Sequence, residues 1–406
     1  MHASADVTTT RRRPRDRRET IVRVATAAFA EHGYHAASMA GIATEVGISS
    51  TALYRHFRNK QDLLGQCLLT GLDTALSRLS AARSAGDSVL HELTVTCLEL
   101  RGLPRLWQLE VRNLSPADRV SVLTRVVRLC RLLRESIAAQ RPDLDAADVE
   151  LLAWCVLSVA VSPSYHRVQL AQRTFVELLD GIIASVVDAA MSGEPDGVSS
   201  RRRTADAGMV MDSVLRPERM VSAAARLFNS YGYAAVGIED IGAAVGVSGP
   251  ALYHHFASKA DMLNEIIERN DQWIKLYISR ALTESDTASD ALRQLTRYFV
   301  NFAADEPDVV GTSLSEAGHL PAEQAARYQQ AHREGIKRWA RMLVAVRPEL
   351  SLDLGRAQVQ ALTSVVIDAV RNPRLAARPD LRTSLIEVCD QILGTDAAAV
   401  GLREPG

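Results

Sequence analysis

The chain has 406 residues, too many for one ordinary helical domain and about right for two. Its 47 Lys and Arg stand against 48 Asp and Glu, a formal net charge of −1 that, taken whole, argues against a nucleic-acid binder. An average over so long a chain can conceal a local basic patch, and the local distribution is what a polyanion meets.

The first residues, through Arg11-Arg12-Arg13, contain no apolar run of the kind a secretory signal needs, and residues 1–14 read as a basic arm. From Thr20 to Leu64 the chain reads as short helices, and a slide of 199 residues lays this segment on Arg219–Leu263 without a gap, with 18 of 45 positions identical. The chain is therefore expected to be a duplication of one whole unit. A second match, Arg141-Pro-Asp-Leu with Arg347-Pro-Glu-Leu, needs a slide of 206, which places a seven-residue insertion in the middle of the second copy. Strand signals are nearly absent, while 3.6-period runs recur at Val120–Ala139, Val149–Val161, Phe175–Ala190, Ala291–Phe302 and Val359–Val370. The fold class expected is all-α, with units at 15–65, 66–191, 214–264 and 265–396, a linker at 192–213 and a tail at 397–406. Arg201-Arg202-Arg203 lie in that linker.

Within each copy the first helix stops at a glycine, Gly33 or Gly232, followed by Tyr34 or Tyr233. Two short helices then follow around Gly47 or Gly246, the signature of a helix-turn-helix. If Leu53 and Phe57 face inward with Phe29, Ile42 and Val46, the opposite face presents Ser50, Thr51, Tyr54, Arg55 and His56, which suit bases and phosphates. The next helix opens Asn59-Lys60-Gln61-Asp62 or Ser258-Lys259-Ala260-Asp261, close to a capping box. A lysine there opposes the helix dipole and reads as a phosphate anchor.

The pattern F-x3-G-Y-x7-I-(A/G)-x2-V-G-(I/V)-S-x2-A-L-Y-x-H-F-x2-K-x-D resembles the DNA-binding domain of TetR-family transcriptional repressors, over residues 17–65 and again over 216–264. The resemblance implies a helix-turn-helix domain in each half followed by a larger helical ligand-binding and dimerisation domain. It also implies double-stranded operator DNA as a partner, contacted by Ser38, Ser50, Thr51, Tyr54, Arg55, His56 and Lys60. In the second copy the matching residues are Gly249, Pro250, Tyr253, His254, His255 and Lys259. There Gly237 replaces Ser38 and Gly249-Pro250 replaces Ser50-Thr51, so the base-reading chemistry differs. Local charge agrees: Arg11–Lys60 holds ten basic and four acidic residues, net +6, and Arg201–Lys259 seven and five, net +2. The two arginine clusters can lie along phosphates or enter a minor groove.

Family members pair their last two helices into a four-helix bundle between protomers. By resemblance, residues 146–161 and 171–191 are expected to pack on 354–370 and 379–393, making one monomeric chain an intramolecular pseudo-dimer with an asymmetric operator. The resemblance also implies release by a small-molecule inducer, apolar or lipid-like, with Trp107, Trp154 and Tyr165 in one half and Phe299, Phe302 and Trp339 in the other as candidate pocket residues. The tandem layout resembles mycobacterial tandem members that control lipid-importer operons, which implies lipid-uptake genes as targets.

No catalytic constellation emerges, and neither an enzyme, a cofactor nor a metal is expected. Asp143, Asp145, Asp148 and Glu150 cluster where a helix begins, as helix starts favour. Adjacent His254 and His255 diverge by about 100° on a helix and make no single metal site. Five cysteines, an odd number with no CxxC pair, exclude a disulfide scaffold or zinc ribbon. The apolar run Leu151–Ser162 falls short of the ~20 residues of a membrane span, so a cytoplasmic protein without a membrane partner is expected. The alternative is a helical ligand-binding or interaction module whose second helix-turn-helix no longer contacts DNA.

Overall fold

The computed structural model describes residues 14–193 and 209–394. The arm through Arg11, Arg12 and Arg13, the Arg201, Arg202 and Arg203 cluster and the tail lie outside the described residues. Every regular element among those described is helical. The first half runs α1 (Pro14–Ala36), α2 (Met39–Val46), α3 (Ser50–His56), α4 (Lys60–Ala85), α5 (Val89–Glu99), α6 (Leu103–Glu110), α7 (Pro116–Gln140), α8 (Ala146–Val161) and α9 (Gln172–Val187). The second repeats it as α10 (Met209–Tyr231), α11 (Ile238–Val245), α12 (Gly249–Leu252), α13 (Lys259–Glu284), α14 (Ala288–Asp305), α15 (Pro307–Glu316), α16 (Ala322–Val346), α17 (Leu352–Arg371), α18 (Pro373–Ala376) and α19 (Leu381–Leu393). α10 begins inside the expected linker, whose last residues carry Met209, Val210 and Met211, a short apolar run that starts a helix rather than a coil.

The seven-residue insertion falls within one helix. α5 and α14 start 199 residues apart and end 206 apart, with lengths of 11 and 18 residues. Seven residues are close to two turns, so the buried face of α14 drifts by only ~20° and still faces inward along its whole length. Leu292, Leu295, Phe299 and Phe302 hold that face, each 8% exposed or less.

α8 and α9, expected from the resemblance to pack on residues 354–370 and 379–393, do pack there. One compact unit contains residues up to 87 and 99–129, and with them the first helix-turn-helix. The other contains 88–98 and everything from 130 onward. α8 and α9 thus belong with the second half, because α8 is apolar on all sides and must be covered on all sides. Leu151, Leu152, Val156 and Val159 are fully buried, each contributing about 1.5–3 kcal/mol. α8 packs on α17 and α9, and α9 on α19. With the turn Ser162–Tyr165, α8 is by composition long and apolar enough to cross a bilayer, longer than the run Leu151–Ser162 suggested, but most of it is buried within this unit.

Polar contacts fix the register of this packing. Ser158 Oγ donates to Asp368 Oδ2 at 2.9 Å. Arg378 Nη2 reaches Asp148 Oδ1 at 2.6 Å and Asp380 Oδ2 at 2.7 Å, with all three side chains nearly buried. The acidic cluster at the start of α8 is spent on such structure: Asp145 caps the helix, its Oδ1 accepting from the N–H groups of Ala147 and Asp148, and Asp143 pairs with Arg141. Burial pushes the Asp380 carboxyl up, but the bonds from Arg378 and Ser384 outweigh it and leave the pKa below its ordinary value.

Arg378→Ala leaves two carboxylates uncompensated and is expected to cost about 3 kcal/mol at neutral pH, read as a lowered urea midpoint. Because the folded pKa of Asp380 is depressed, this stabilisation is present above about pH 4 and fades as pH falls through the folded value. The gap between wild type and variant should therefore narrow as pH is lowered below about 4; a gap that widens in acid contradicts the assignment.

Candidate nucleic-acid interface

Backbone geometry breaks the first helix of each copy at a glycine, Gly33 within the span of α1 and Gly232 just after α10. Gly33 and Gly232 adopt φ of 76° and 86°, where only glycine sits without strain. In the first copy Ser38 Oγ then accepts the N–H of Gly41 at 3.0 Å and caps α2, and Ser49 Oγ accepts that of Ala52 at 3.1 Å and caps α3. The inner face is as expected: Phe29, Ile42, Leu53 and Phe57 are 2% exposed or less, although Val46 is only half-buried. With that face buried, Ser50, Thr51, Tyr54 and Arg55 are left exposed on α3, Tyr54 by 52%, and His56 is half-buried. Ser38 is exposed beside them, its oxygen engaged as a cap.

The second copy keeps the frame and changes the reading face. Gly237 has no side chain to cap α11; instead its own N–H donates to Asp240 Oδ2 at 2.7 Å. A Cβ on Gly242 would meet the carbonyl of Val247 at 2.7 Å, so this turn closes more tightly than one that accommodates Ala43 in the first copy. α12 has four residues where α3 has seven. Pro250 is tolerated in its first turn, and the chain continues as tighter three-residue turns, with the N–H of Tyr253 bonded to Pro250 O and that of His255 to Leu252 O. Pro250, Tyr253, His254 and His255 are exposed and Gly249 is half-buried, so the surface offers rings, and beyond the N-cap Ser248 it lacks the hydroxyls that Ser50 and Thr51 give the first copy.

The two lysines are already engaged within the protein. Lys60 Nζ donates to the carbonyls of Ala37 at 2.8 Å and His35 at 3.2 Å and lies 4.6 Å from the centre of the Tyr34 ring. Lys259 repeats this with Tyr233 O and Val236 O, both at 2.8 Å, and the Tyr233 ring at 4.2 Å. Both lysines therefore have a partner inside the protein besides the expected phosphate: the carbonyls that end the first helix already accept from the cation on the first turn of α4 or α13. An ammonium has three donors, so the staple leaves the chemistry for a phosphate contact in place but no longer requires it. Burial lowers the pKa of both lysines, with the charge of Glu110 partly opposing the shift at Lys60.

A carboxylate completes each junction, and it was not anticipated. Glu110 Oε1 accepts the N–H of Tyr34 at 3.0 Å, and Glu316 Oε2 that of Tyr233 at 3.0 Å. Glu316 is fully buried and takes a second bond from Ser315 Oγ at 2.7 Å. The two glutamates are 206 residues apart, as are the Arg-Pro pairs, and an acidic residue held in register between the copies was the available signal.

The sequence pattern of bacterial regulatory proteins of the TetR family matches residues 21–67 and 220–266, the two segments just described. The nucleoid occlusion factor SlmA of Photobacterium profundum is 30% identical over 142 residues, which cover 35% of this chain and 71% of that protein. The chain belongs to the TetR family. The transcriptional repressor KstR2 of Mycolicibacterium smegmatis is 32% identical over 81 residues, 20% of this chain, and the match spans 40% of that relative's length. Among solved structures, the ketosteroid transcriptional regulator KstR2 of Mycobacterium tuberculosis superposes with a TM-score of 0.41 at 22% identity, over 44% of this chain and 93% of that one. The chain thus carries two copies of the segment by which this family of bacterial regulatory proteins is recognised.

If the exposed face of α3 reads DNA, Tyr54→Ala weakens operator binding without moving the melting temperature, and Arg55→Ala lowers the salt slope of log K by about one. Lys60→Met should instead lower thermal stability by about 1–2 kcal/mol through its lost carbonyl bonds. Unaltered melting of Lys60→Met in scanning calorimetry contradicts the staple.

Proposed function

We propose that this chain is a ligand-released transcriptional repressor that works as a single-chain pseudo-dimer on an asymmetric operator. The observation that carries this reading is the packing of α8 and α9 on α17 and α19 within one chain, sealed by Ser158 with Asp368 and Arg378 with Asp148. Two helices from each half make the kind of bundle that two protomers ordinarily build together. The asymmetry rests on the heads themselves. One offers Ser50-Thr51 on a seven-residue helix in a +6 segment, the other Gly249-Pro250 on a four-residue helix in a +2 segment. Ser38, Ser50, Thr51, Tyr54, Arg55 and His56 read one half-site, and Tyr253, His254 and His255 the other. Genes of lipid uptake are the proposed targets. Release requires an effector that binds more tightly to a conformation the operator does not favour.

A second reading keeps the first head on DNA and makes the second a structural partner. It is favoured by the shortened α12, which lacks the opening hydroxyls. Sedimentation of the operator complex together with footprinting tests both. One chain protecting two unlike half-sites about one turn apart is the expected result, and two chains on a perfect palindrome sink the pseudo-dimer. The double variant Tyr253→Ala with His254→Ala should weaken binding by tenfold or more, on the order of 1–2 kcal/mol per lost contact. No change in affinity selects the second reading.

A further inference from the structure

We propose that the chain senses its effector through its second half, in a cavity built for an uncharged, largely apolar molecule bearing one hydrogen-bond-accepting oxygen. This deepens, and rests on, the reading of the chain as a ligand-released regulator. The cavity, of about 90 Å³, lies among α13, α14, α15, α16 and α17, with Tyr165 from the turn after α8 on its wall. Of the residues expected to line pockets, Tyr165, Phe299 and Trp339 do line this one, and Tyr165 does so from the other copy. Phe302 instead stacks on Trp273, with ring centres 4.9 Å apart. Trp107 and Trp154 are half-buried and are not among the residues of this wall.

Ile274, Phe299, Val310, Leu314, Ile336 and Ile367 make the wall mainly apolar. Set into it are two polar atoms, Ser313 Oγ and Trp339 Nε1, that find no hydrogen-bond partner among the described residues. Their side chains are 2% and 4% exposed. A buried donor left unpaired costs about 1–3 kcal/mol. An indole N–H can only donate, so what it calls for is an acceptor such as a ketone oxygen.

Charge narrows the class further. Among the described residues no Lys or Arg lines the cavity, whereas two carboxylates do: Asp271, paired with Lys275, and Asp368, bonded by Ser158. A fatty-acid carboxylate or a nucleotide thioester would bury its anion against these without a counter-charge, which is strongly unfavourable. Both aspartates already have partners, so no cation is demanded either. Burial lowers the pKa of His332 on the same wall, with Asp271 partly opposing and Arg333 adding to the shift, which favours the uncharged ring.

The first half has lost this chemistry. Under the 206-residue slide for the later helices and the 199-residue slide for α13, the counterparts of Asp271, His332 and Trp339 are Leu72, Val126 and Leu133, buried to 5% exposure or less. The counterpart of Ser313 is Trp107. The route from cavity to head is also short. Ser313 lies one helical turn from Glu316 on α15, and the Glu316 carboxylate holds the N–H of Tyr233 where the second head begins. A ligand that bonds Ser313 therefore acts on the helix that positions that head.

The test uses the full chain, tryptophan fluorescence and titration calorimetry with four probes of one short chain length that suits so small a cavity: 2-butanone, butanoate, butanoyl-coenzyme A and butyltrimethylammonium. The ketone is expected to bind best. Trp339→Phe and Ser313→Ala should each weaken it roughly fivefold, the equivalent of one lost hydrogen bond, while Trp107→Phe leaves it unchanged. Ser313→Ala removes an unpaired hydroxyl, so the free variant should melt no lower than wild type, which keeps the test sound even where Trp339→Phe folds poorly. Tighter binding of either anion or of the ammonium overturns the proposal. So does ketone binding indifferent to both substitutions, or no binding by any probe. Operator affinity measured alongside separates the two readings: substitution-sensitive ketone binding that leaves operator affinity intact upholds the site and overturns ligand release.

Discussion

The apolar surface of α8 has to be covered, and much of the molecule follows from how this is done. From Leu151 to Val161 the helix presents buried residues on every side, so one neighbouring layer cannot satisfy it. Here α17 of the same chain covers one side, with α9 on another. A contact between halves made inside one chain carries no concentration dependence. It also brings two unlike sequences together, and that frees each copy to change what it presents elsewhere. Asp148 meeting Arg378 and Ser158 meeting Asp368 are unlike pairs across the bundle, which a symmetric homodimer would have to repeat in both directions.

That freedom is visible in how the copies have diverged. Both keep the parts that hold a helix-turn-helix together: the positive-φ glycine, the tyrosine after it, the lysine stapled to the carbonyls and the glutamate on the tyrosine N–H. What differs is what faces outward and what faces the cavity. The first copy has hydroxyls, an arginine and the larger basic excess on its head, with apolar side chains at the positions that correspond to the cavity wall. The second has glycine and proline on its head, two more turns in α14 and orphaned donors in a cavity. The parts that hold each head together are kept in duplicate while the outward faces and the cavity positions differ, as expected where function resides in sites carried by a fold rather than in the fold.

Much of this could be read from the chain alone, because it depends on local periodicity and local backbone demands. The duplication, the helical class, the glycine stops, the caps at Asn59 and Ser258 and the inward set of Phe29, Ile42, Leu53 and Phe57 are all short-range features. Even the existence of an insertion was arithmetic, 206 against 199. The lysines show where this kind of reading stops. A cation on a first helical turn suggested an absent anion, because the carbonyls of residues 35 and 37, some 23 to 25 positions away in the chain, could not be seen beside it.

Sequence by itself determined two helix-turn-helix units, their inner faces, and which residues each reading face has available, since side chains spaced for one helix face are committed once the opposite face is apolar. Tertiary structure decided the rest. It set Tyr165 on the wall of a cavity belonging to the other copy, left Trp339 and Ser313 without partners there, and made Glu110 and Glu316 the posts that hold the heads. The physical reason is range. Periodicity reports which face of a helix avoids water, whereas the identity of the surface that covers it, and of the donors stranded by that cover, depends on residues many tens to hundreds of positions apart.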